Sequence, residues 1–396
     1  MPMQLYGRRY DNAQPIVLKT AAGRVARIAE VSVSDREARG WPWIGPGLLD
    51  VQVNGYGGQE FSASTLTVEK VRQISDAFAA FGVTRLCPTV TTQTSAVMLH
   101  ALRTIRSACE ECRELARRIP GIHVEGPFIT PQDGARGAHP LSCIRAPDWD
   151  EFQRFQDAAD GRVRILTLSP EYDEAPALIR RVADTGVIVS IGHTSANPEQ
   201  IRAAVDAGAR MSTHLGNGSH PMLHRLRNYL WEQLADDRLI AGIITDGHHL
   251  PPSVVKCLVR AKGPERCVLV SDISGQAGQP PGRYTSDFCD VEILPEGKLV
   301  IAGQQELLGG AALPTNVCVA NVMTFAGVDL ATAMRMAADN PAKLLGLEAG
   351  GLDPAMPADF VQFDLREHPE QGGRLTFDVR ATVFDGELVY GAPSTP

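Results

Sequence analysis

The sequence predicts an α/β chain: a (β/α)8 barrel with a small β-sandwich built from both termini. Three observations carry this expectation. Eight apolar, strand-like runs alternate with helical stretches over roughly 250 residues, the pattern of a closed parallel sheet ringed by helices. Four of those runs end in a side chain able to bind a metal, at the end of the strand where barrel enzymes keep their chemistry. Strand-like segments without helices between them gather at the two ends of the chain. Residues 1–45 are therefore expected to give the first part of the sandwich, 46–348 the barrel and 349–396 the rest of the sandwich.

Taken in order, the amino-terminal part reads as short strands around a turn: Ile16-Val17-Leu18, then Gly23 to Ile28 with alternating polarity. Barrel strands are expected near 47–53, 83–90, 121–125, 163–168, 186–191, 209–214, 240–245 and 267–272. Thr67 to Phe81 carries an apolar stripe at helical spacing, and Asn197-Pro198-Glu199 supplies a cap followed by proline in the first helical turn. Asn340-Pro341 repeats that start, with Gly346 as its stop. Between the eighth strand and the last helices, residues 282–303 read as an inserted hairpin turning at Pro295-Glu296-Gly297. Helices over 314–346 complete the ring. Strands follow at Asp359–Asp364, Leu375–Phe377 and Arg380–Phe384, and Asp385-Gly386 gives a hairpin signal before Glu387–Tyr390.

Composition narrows the partners. A net charge of −8 with interspersed acids and bases leaves no basic face for nucleic acid. No apolar run approaches the length of a membrane span, and the first residues carry no export signal. The eight cysteines lack regular spacing, and Cys87, Cys257 and Cys267 sit in apolar runs as small hydrophobes, which points to a reducing cytoplasm. Cys109 and Cys112 form a lone CxxC with no second pair to complete a zinc knuckle.

The run Ile122-His123-Val124-Glu125 breaks at Gly126-Pro127 and puts a carboxylate at a strand end. Two later runs end in His193 and His214, and a fourth, Cys267 to Ser271, ends in Asp272. Singly, each has a plain alternative: a histidine there is usually a satisfied structural residue and an aspartate often a helix cap. Together, at the ends of the third, fifth, sixth and eighth strands, they meet at one mouth. They supply what a hydrolytic zinc site needs: three ligands, an open position for water, and a base.

The strings Pro46-Gly47-Leu48-Leu49-Asp50-Val51-Gln52-Val53-Asn54-Gly55, His123-Val124-Glu125-Gly126-Pro127, Gly192-His193-Thr194, Thr213-His214-Leu215, Asp246-Gly247-His248-His249 and Val270-Ser271-Asp272 stand in this order along the chain. They resemble those of the N-acetylglucosamine-6-phosphate deacetylases of the amidohydrolase superfamily. The likeness runs in order from about residue 20 to 390 and includes Asn340-Pro341-Ala342 and the Gly351-to-Phe360 passage.

The resemblance implies a cytoplasmic homodimer that removes the acetyl group of an N-acetylated amino sugar, first of all N-acetylglucosamine 6-phosphate. It implies one divalent metal ion, zinc, held by Glu125, His193 and His214, with Asp272 as general base and acid and His249 facing the substrate carbonyl. Many superfamily members carry His-x-His on the first strand for a second metal. Here Gln52 and Asn54 stand there, amides that are poor zinc ligands and good hydrogen-bond donors at the mouth. The stretch Arg164 to Pro170 also lacks the bridging lysine of binuclear relatives. His139 matches the family histidine that touches the sugar, its plain alternative being an exposed loop residue.

Asn217-Gly218 replaces the family's Asn-Ala. Arg225 falls at the offset of the family's phosphate-binding arginine, which often reaches across a dimer, but its surrounding motif is absent and Arg227 competes for the role. A second departure, Gly303-Gln304-Gln305-Glu306-Leu307-Leu308-Gly309-Gly310, bears on the sugar end of the pocket. Two other readings stay open: the same chemistry on an unphosphorylated or different N-acyl amino sugar, and a non-catalytic barrel that binds a sugar phosphate. The Gly55-Tyr56-Gly57-Gly58 loop lacks a Walker or dinucleotide pattern and reads as a tight turn at the mouth.

Overall fold

Eight short, mostly apolar segments pair side by side in the computed structural model, which describes residues 3–304 and 307–393. They are Leu48–Val53, Val83–Thr91, Ile122–Glu125, Val163–Leu168, Ile188–Ile191, Met211–Ser212, Ile240–Ile243 and Cys267–Leu269, in chain order, each neighbouring pair parallel. Bridges across the first and last strands close the ring: Asp272 N–H donates to the Gln52 carbonyl and Asn54 N–H to that of Ile273, each at 3.0 Å. Leu49, Val51, Cys87, Ile165, Met211, Val268 and Val270 fill the inside, and Ala342 and Leu345 of the helix Asp339–Leu345 plug it from below. Outward-facing residues such as Leu48, Val83, Val124 and Leu166 pack under the helices.

The helices begin where the sequence places their caps. Thr67 caps Val68–Ala77, which tightens into a 3-10 turn at Phe78–Phe81, and Asn197 with Gln200 forms a reciprocal capping box on Pro198–Ala207. Asn340 departs from expectation. The helix already starts at Asp339, and Asn340 lies inside it, its amide donating to the Pro264 and Cys267 carbonyls at 2.8 and 2.7 Å. Those carbonyls lie at the entry to the eighth strand, so tertiary bonding outweighs the local capping preference. Cys257 also departs: it is exposed, because the helix Pro252–Lys262 buries the face of Val255, Leu258 and Val259 instead. Cys109 is buried, Cys112 half-buried, and both are free.

The two termini meet as expected, in one hydrogen-bonded, seven-stranded sheet. Its strands are Gln4–Arg9, Pro15–Ala21, Arg24–Glu30, Trp43–Pro46, Phe360–His368, Arg374–Phe384 and Glu387–Gly391. Leu5, Ile16, Leu18, Ile44, Phe360 and Val383 give it a core of its own. It is pinned to the barrel by the Arg85–Asp359 ion pair and by Thr382 Oγ1 donating to the Ala79 carbonyl at 2.7 Å. The Asp385-Gly386 turn takes positive φ at both residues (53° and 77°), as a tight hairpin requires.

The insertion after the eighth strand is a three-stranded antiparallel sheet of Gly282–Tyr284, Val291–Ile293 and Leu299–Ile301. It is docked over the barrel mouth by Asp287, whose Oδ2 accepts from Ser64 N–H at 2.7 Å and from its hydroxyl at 2.5 Å. Among the described residues, no helix is long and apolar enough to cross a membrane.

Asn340→Ala deletes two buried hydrogen bonds and should lower stability by about 1–3 kcal/mol. Urea unfolding reads this as a lower midpoint at unchanged slope.

Candidate active site

Four strand ends deliver the metal-competent side chains. Each departs from extended backbone there: His193, His214 and Asp272 have φ of 46°, 30° and 52°, and beside Glu125 the turn is taken by Gly126 at 81°. A left-handed residue directly after a strand swings its side chain over the barrel axis, at a conformational cost that non-glycine residues bear where a site demands it. Gly126 is needed for a second reason, since a Cβ there would meet Thr92 Oγ1 at 2.1 Å.

The atoms that arrive are Glu125 Oε1, His193 Nε2 and His214 Nε2. Each imidazole nitrogen lies 3.2 Å from the carboxylate oxygen, and the two nitrogens are 3.0 Å apart. Among the described residues this is the single group of three or more His, Cys, Asp or Glu whose ligand atoms converge. The donor set suits a divalent cation: all three side chains are buried, and His193 Nδ1 donates to the Ala135 carbonyl at 3.0 Å, which leaves Nε2 with its lone pair for a ligand. Gly218 approaches the same rings so closely that a Cβ would lie 2.7 Å from His193 Nδ1.

Asp272 stands beside this trio. Its Oδ1 accepts from Asn54 Nδ2 at 2.8 Å and from Gln52 Nε2 at 3.1 Å, and the same Gln52 nitrogen lies 3.1 Å from Glu125 Oε1. Both amides therefore serve as donors to the carboxylates. Burial works to raise the Glu125 pKa, but hydrogen bonds and charge from His193 and His214 hold it well below the usual carboxylate range. Asp272 is pushed up to about 6, first by burial and then by the Glu125 charge. Burial alone would lower the His214 pKa, yet Glu125 and Asp272 raise it.

His249 lines the same cavity, its Nδ1 held 2.8 Å from Asp246 Oδ2, while Asp246 Oδ1 accepts the backbone N–H groups of His248 and His249. His139 is buried rather than exposed. Its Nε2 lies 3.2 Å from His193 Nε2, its ring stands edge-on to Phe288, and burial lowers its pKa well below the usual value. Asn217 and Gly218 also line the cavity, which encloses about 200 Å³. Several buried polar atoms of its lining residues have no protein partner: Asn54 Oδ1, His139 Nδ1, His214 Nδ1 and Asn217 Nδ2, as does Gln52 Oε1 beside them. Such atoms mark where a ligand or solvent is held.

Arg225 and Arg227 are not brought into this cavity. Both are exposed, and Arg227 pairs with Glu199 at 3.2 Å. In the second divergent passage, Leu307 and Leu308 reach the cavity wall; Gln305 and Glu306 lie outside the described residues. The glycine loop at 55–58 is a small hairpin bonded to the loop after the eighth strand.

Four residues at or beneath the site escaped the sequence reading. Asp246 orients His249 from three residues upstream. Glu60 and Phe288 lie on the mouth. His123 sits one layer below, bonded to the Val51 carbonyl and to Thr167 Oγ1. Of these His123 left a signal, since it shares a strand face with Glu125 at a spacing of two, and Asp246 opens the Asp246-Gly247-His248-His249 string.

Comparison with known proteins agrees with this geometry. Residues 43–389 match the model of the amidohydrolase family. The chain is 34% identical to the N-acetylglucosamine-6-phosphate deacetylase of Bos taurus, over 88% of this chain and 83% of that one. It is 32% identical to the N-acetylgalactosamine-6-phosphate deacetylase of Escherichia coli O157:H7, over 89% and 92%. The solved structure of a mutant N-acetyl-D-glucosamine-6-phosphate deacetylase from Mycobacterium smegmatis, in complex with N-acetyl-D-glucosamine-6-phosphate, superposes with a TM-score of 0.85 at 29% identity, covering 98% of this chain and 99% of that one. The barrel, its convergent Glu-His-His group and these matches place the chain in the amidohydrolase family, among the N-acetylglucosamine-6-phosphate deacetylases.

Proposed function

We propose that the protein hydrolyses the N-acetyl amide of an amino sugar, N-acetylglucosamine 6-phosphate first of all, giving acetate and the free amine. The observation that carries this reading is the convergence of Glu125, His193 and His214 with Asp272 at one buried mouth. Glu125, His193 and His214 would hold one divalent cation, zinc. When bound, it supplies Lewis-acid polarisation of the amide carbonyl and acidifies a water.

The chain's own groups do the rest. Asp272 takes the proton of the attacking water. Its Oδ1 is engaged by Asn54 and Gln52, so Oδ2 is left for that transfer. Oxygen adds to the acetyl carbon, and His249, anchored through Nδ1 by Asp246, faces the developing oxyanion, where its Nε2 would donate in the doubly protonated ring. The C–N bond breaks as Asp272 returns the proton to the departing amine. His139, Asn217 and Gly218 line the space for the sugar.

Neither lysine nor arginine of this subunit lines the cavity, among the described residues. A phosphate contact from Arg225 of a second copy fits that lining. Arg225 lies in an exposed apolar segment, with Met222 88%, Leu226 72% and Trp231 53% exposed, a face suited to burial in a homodimer. The same absence of cations favours a second reading, an unphosphorylated N-acyl amino sugar. A cytoplasmic location fits either substrate.

Three measurements test the proposal. Asp272→Asn should keep one metal ion per chain and lose roughly 100-fold or more in kcat; loss of the metal instead would make Asp272 chiefly a ligand. Stripping the metal with a chelator should lower the melting temperature by roughly 5 °C or more, and zinc should restore it, because a ligand bound by the folded state alone stabilises it. Arg225→Ala should raise KM about tenfold for the 6-phosphate while leaving KM for free N-acetylglucosamine unchanged. An effect from Arg227→Ala alone would move the contact there, and indifference of the parent enzyme to phosphate would favour the unphosphorylated substrate.

A further inference from the structure

The cavity contains one carboxylate that the chemistry above does not use. Glu60 ends the small hairpin of Gly55–Tyr56 and Gln59–Glu60, and its side chain lines the cavity with Asn54, Ser62 and Asp272. The hairpin is fixed to the loop after the eighth strand by Gly57 N–H to the Ala277 carbonyl and Gly58 N–H to that of Gly275, each 2.8 Å. Glu60 packs so tightly on that loop that a Cβ at Gly275 would lie 2.0 Å from its Cγ. The nearby Ser286 and Gln276 side chains offset part of the rise that burial gives its pKa. Its two oxygens offer about four acceptor sites to donors in the cavity. Burial raises its pKa, and the Asp287 charge adds to the effect.

The chemistry of an N-acetylhexosamine decides what such a wall can meet. The amide on C2 lies at Glu125, His193, His214 and Asp272, and the hydroxyls on C3 and C4 follow along one ring edge. A carboxylate attracts hydroxyl donors and repels a phosphate. We propose that Glu60 is a specificity-determining residue: it accepts hydrogen bonds from the ring hydroxyls and so sets the preference between the gluco and galacto configurations, with the 6-phosphate turned away from it. This rests on the deacetylase reading. Relatives similar to this chain include enzymes named for each configuration, at 34% and 32% identity.

The test measures kcat/KM for N-acetylglucosamine 6-phosphate and N-acetylgalactosamine 6-phosphate with the parent protein, Glu60→Gln and Glu60→Ala. The ratio between the two sugars should shift by about tenfold or more, chiefly through KM, with metal content unchanged, as expected when a charged hydrogen bond to a substrate hydroxyl is lost. An unchanged ratio, however low the absolute rates, overturns the assignment and leaves Glu60 as a side chain packed on the loop of Gly275. Glu60→Gln, nearly identical in size, reads the ratio even where Glu60→Ala does not fold. Failure of the parent protein to hydrolyse either sugar would defeat the deacetylase reading itself, and this assignment with it.

Discussion

The site depends on one amide. Gln52 Nε2 stands between Glu125 Oε1 and Asp272 Oδ1, 3.1 Å from each, where two buried carboxylates would otherwise face one another. Like charges so close in a medium of low dielectric cannot both stay ionised without compensation. The compensation is unequal. Glu125 has two imidazoles and is driven toward the ionised form, whereas Asp272 has only amide donors from Gln52 and Asn54 and is driven toward the protonated one. A pair of acids whose environments push their pKa values apart divides the labour: the more acidic one is suited to ligation and the other to carrying a proton. A histidine in place of Gln52 would bring a second ligand set and erase that asymmetry.

The barrel holds these groups at the cost of local strain. Three ligand or base residues sit in left-handed backbone that branched or bulky residues avoid, and the layer beneath them is polar where a barrel interior is usually aliphatic. His123 Nε2, Thr167 Oγ1, Thr213 Oγ1 and Ser190 Oγ form an unbroken chain of contacts at 2.6–2.7 Å across the barrel. This chain satisfies each of those three hydroxyls and fixes the strands whose ends bear Glu125, His193 and His214. The rigidity of the mouth is thus built one layer below it.

Much of this was legible in the sequence, for an identifiable reason. A parallel strand buried on both faces reads as an apolar run, so a charged residue at its end stands out, and Glu125, His193, His214 and Asp272 were all found that way. What escaped depends on contacts between distant segments. Asn340 has the residue type and neighbours of a cap, but its amide bonds to the Pro264 and Cys267 carbonyls, which no local pattern announces. Cys257 sits in an apolar run whose helical phase turns it outward. Glu60 follows a glycine-rich loop of ordinary appearance and becomes a cavity residue only because that hairpin folds back on the loop after the eighth strand. The strand Gln4–Arg9 was missed because its alternation is interrupted by arginine and glycine.

Charge balance finally limits what the cavity can hold. Glu125 and Asp272 together offset one divalent cation, Glu60 adds a further acid at the wall, and no lysine or arginine among the described residues lines the space. A phosphate carried into such a place would exchange its hydration for neutral donors such as Asn217 Nδ2, with no cation of this subunit lining the space to offset its charge, a penalty of several kcal/mol even after relaxation. The phosphoryl group must therefore stay at the solvent-facing rim or meet a guanidinium from outside the subunit. Under the proposed pairing of two copies, burial of the exposed apolar segment around Arg225 would bring such a cation to the rim.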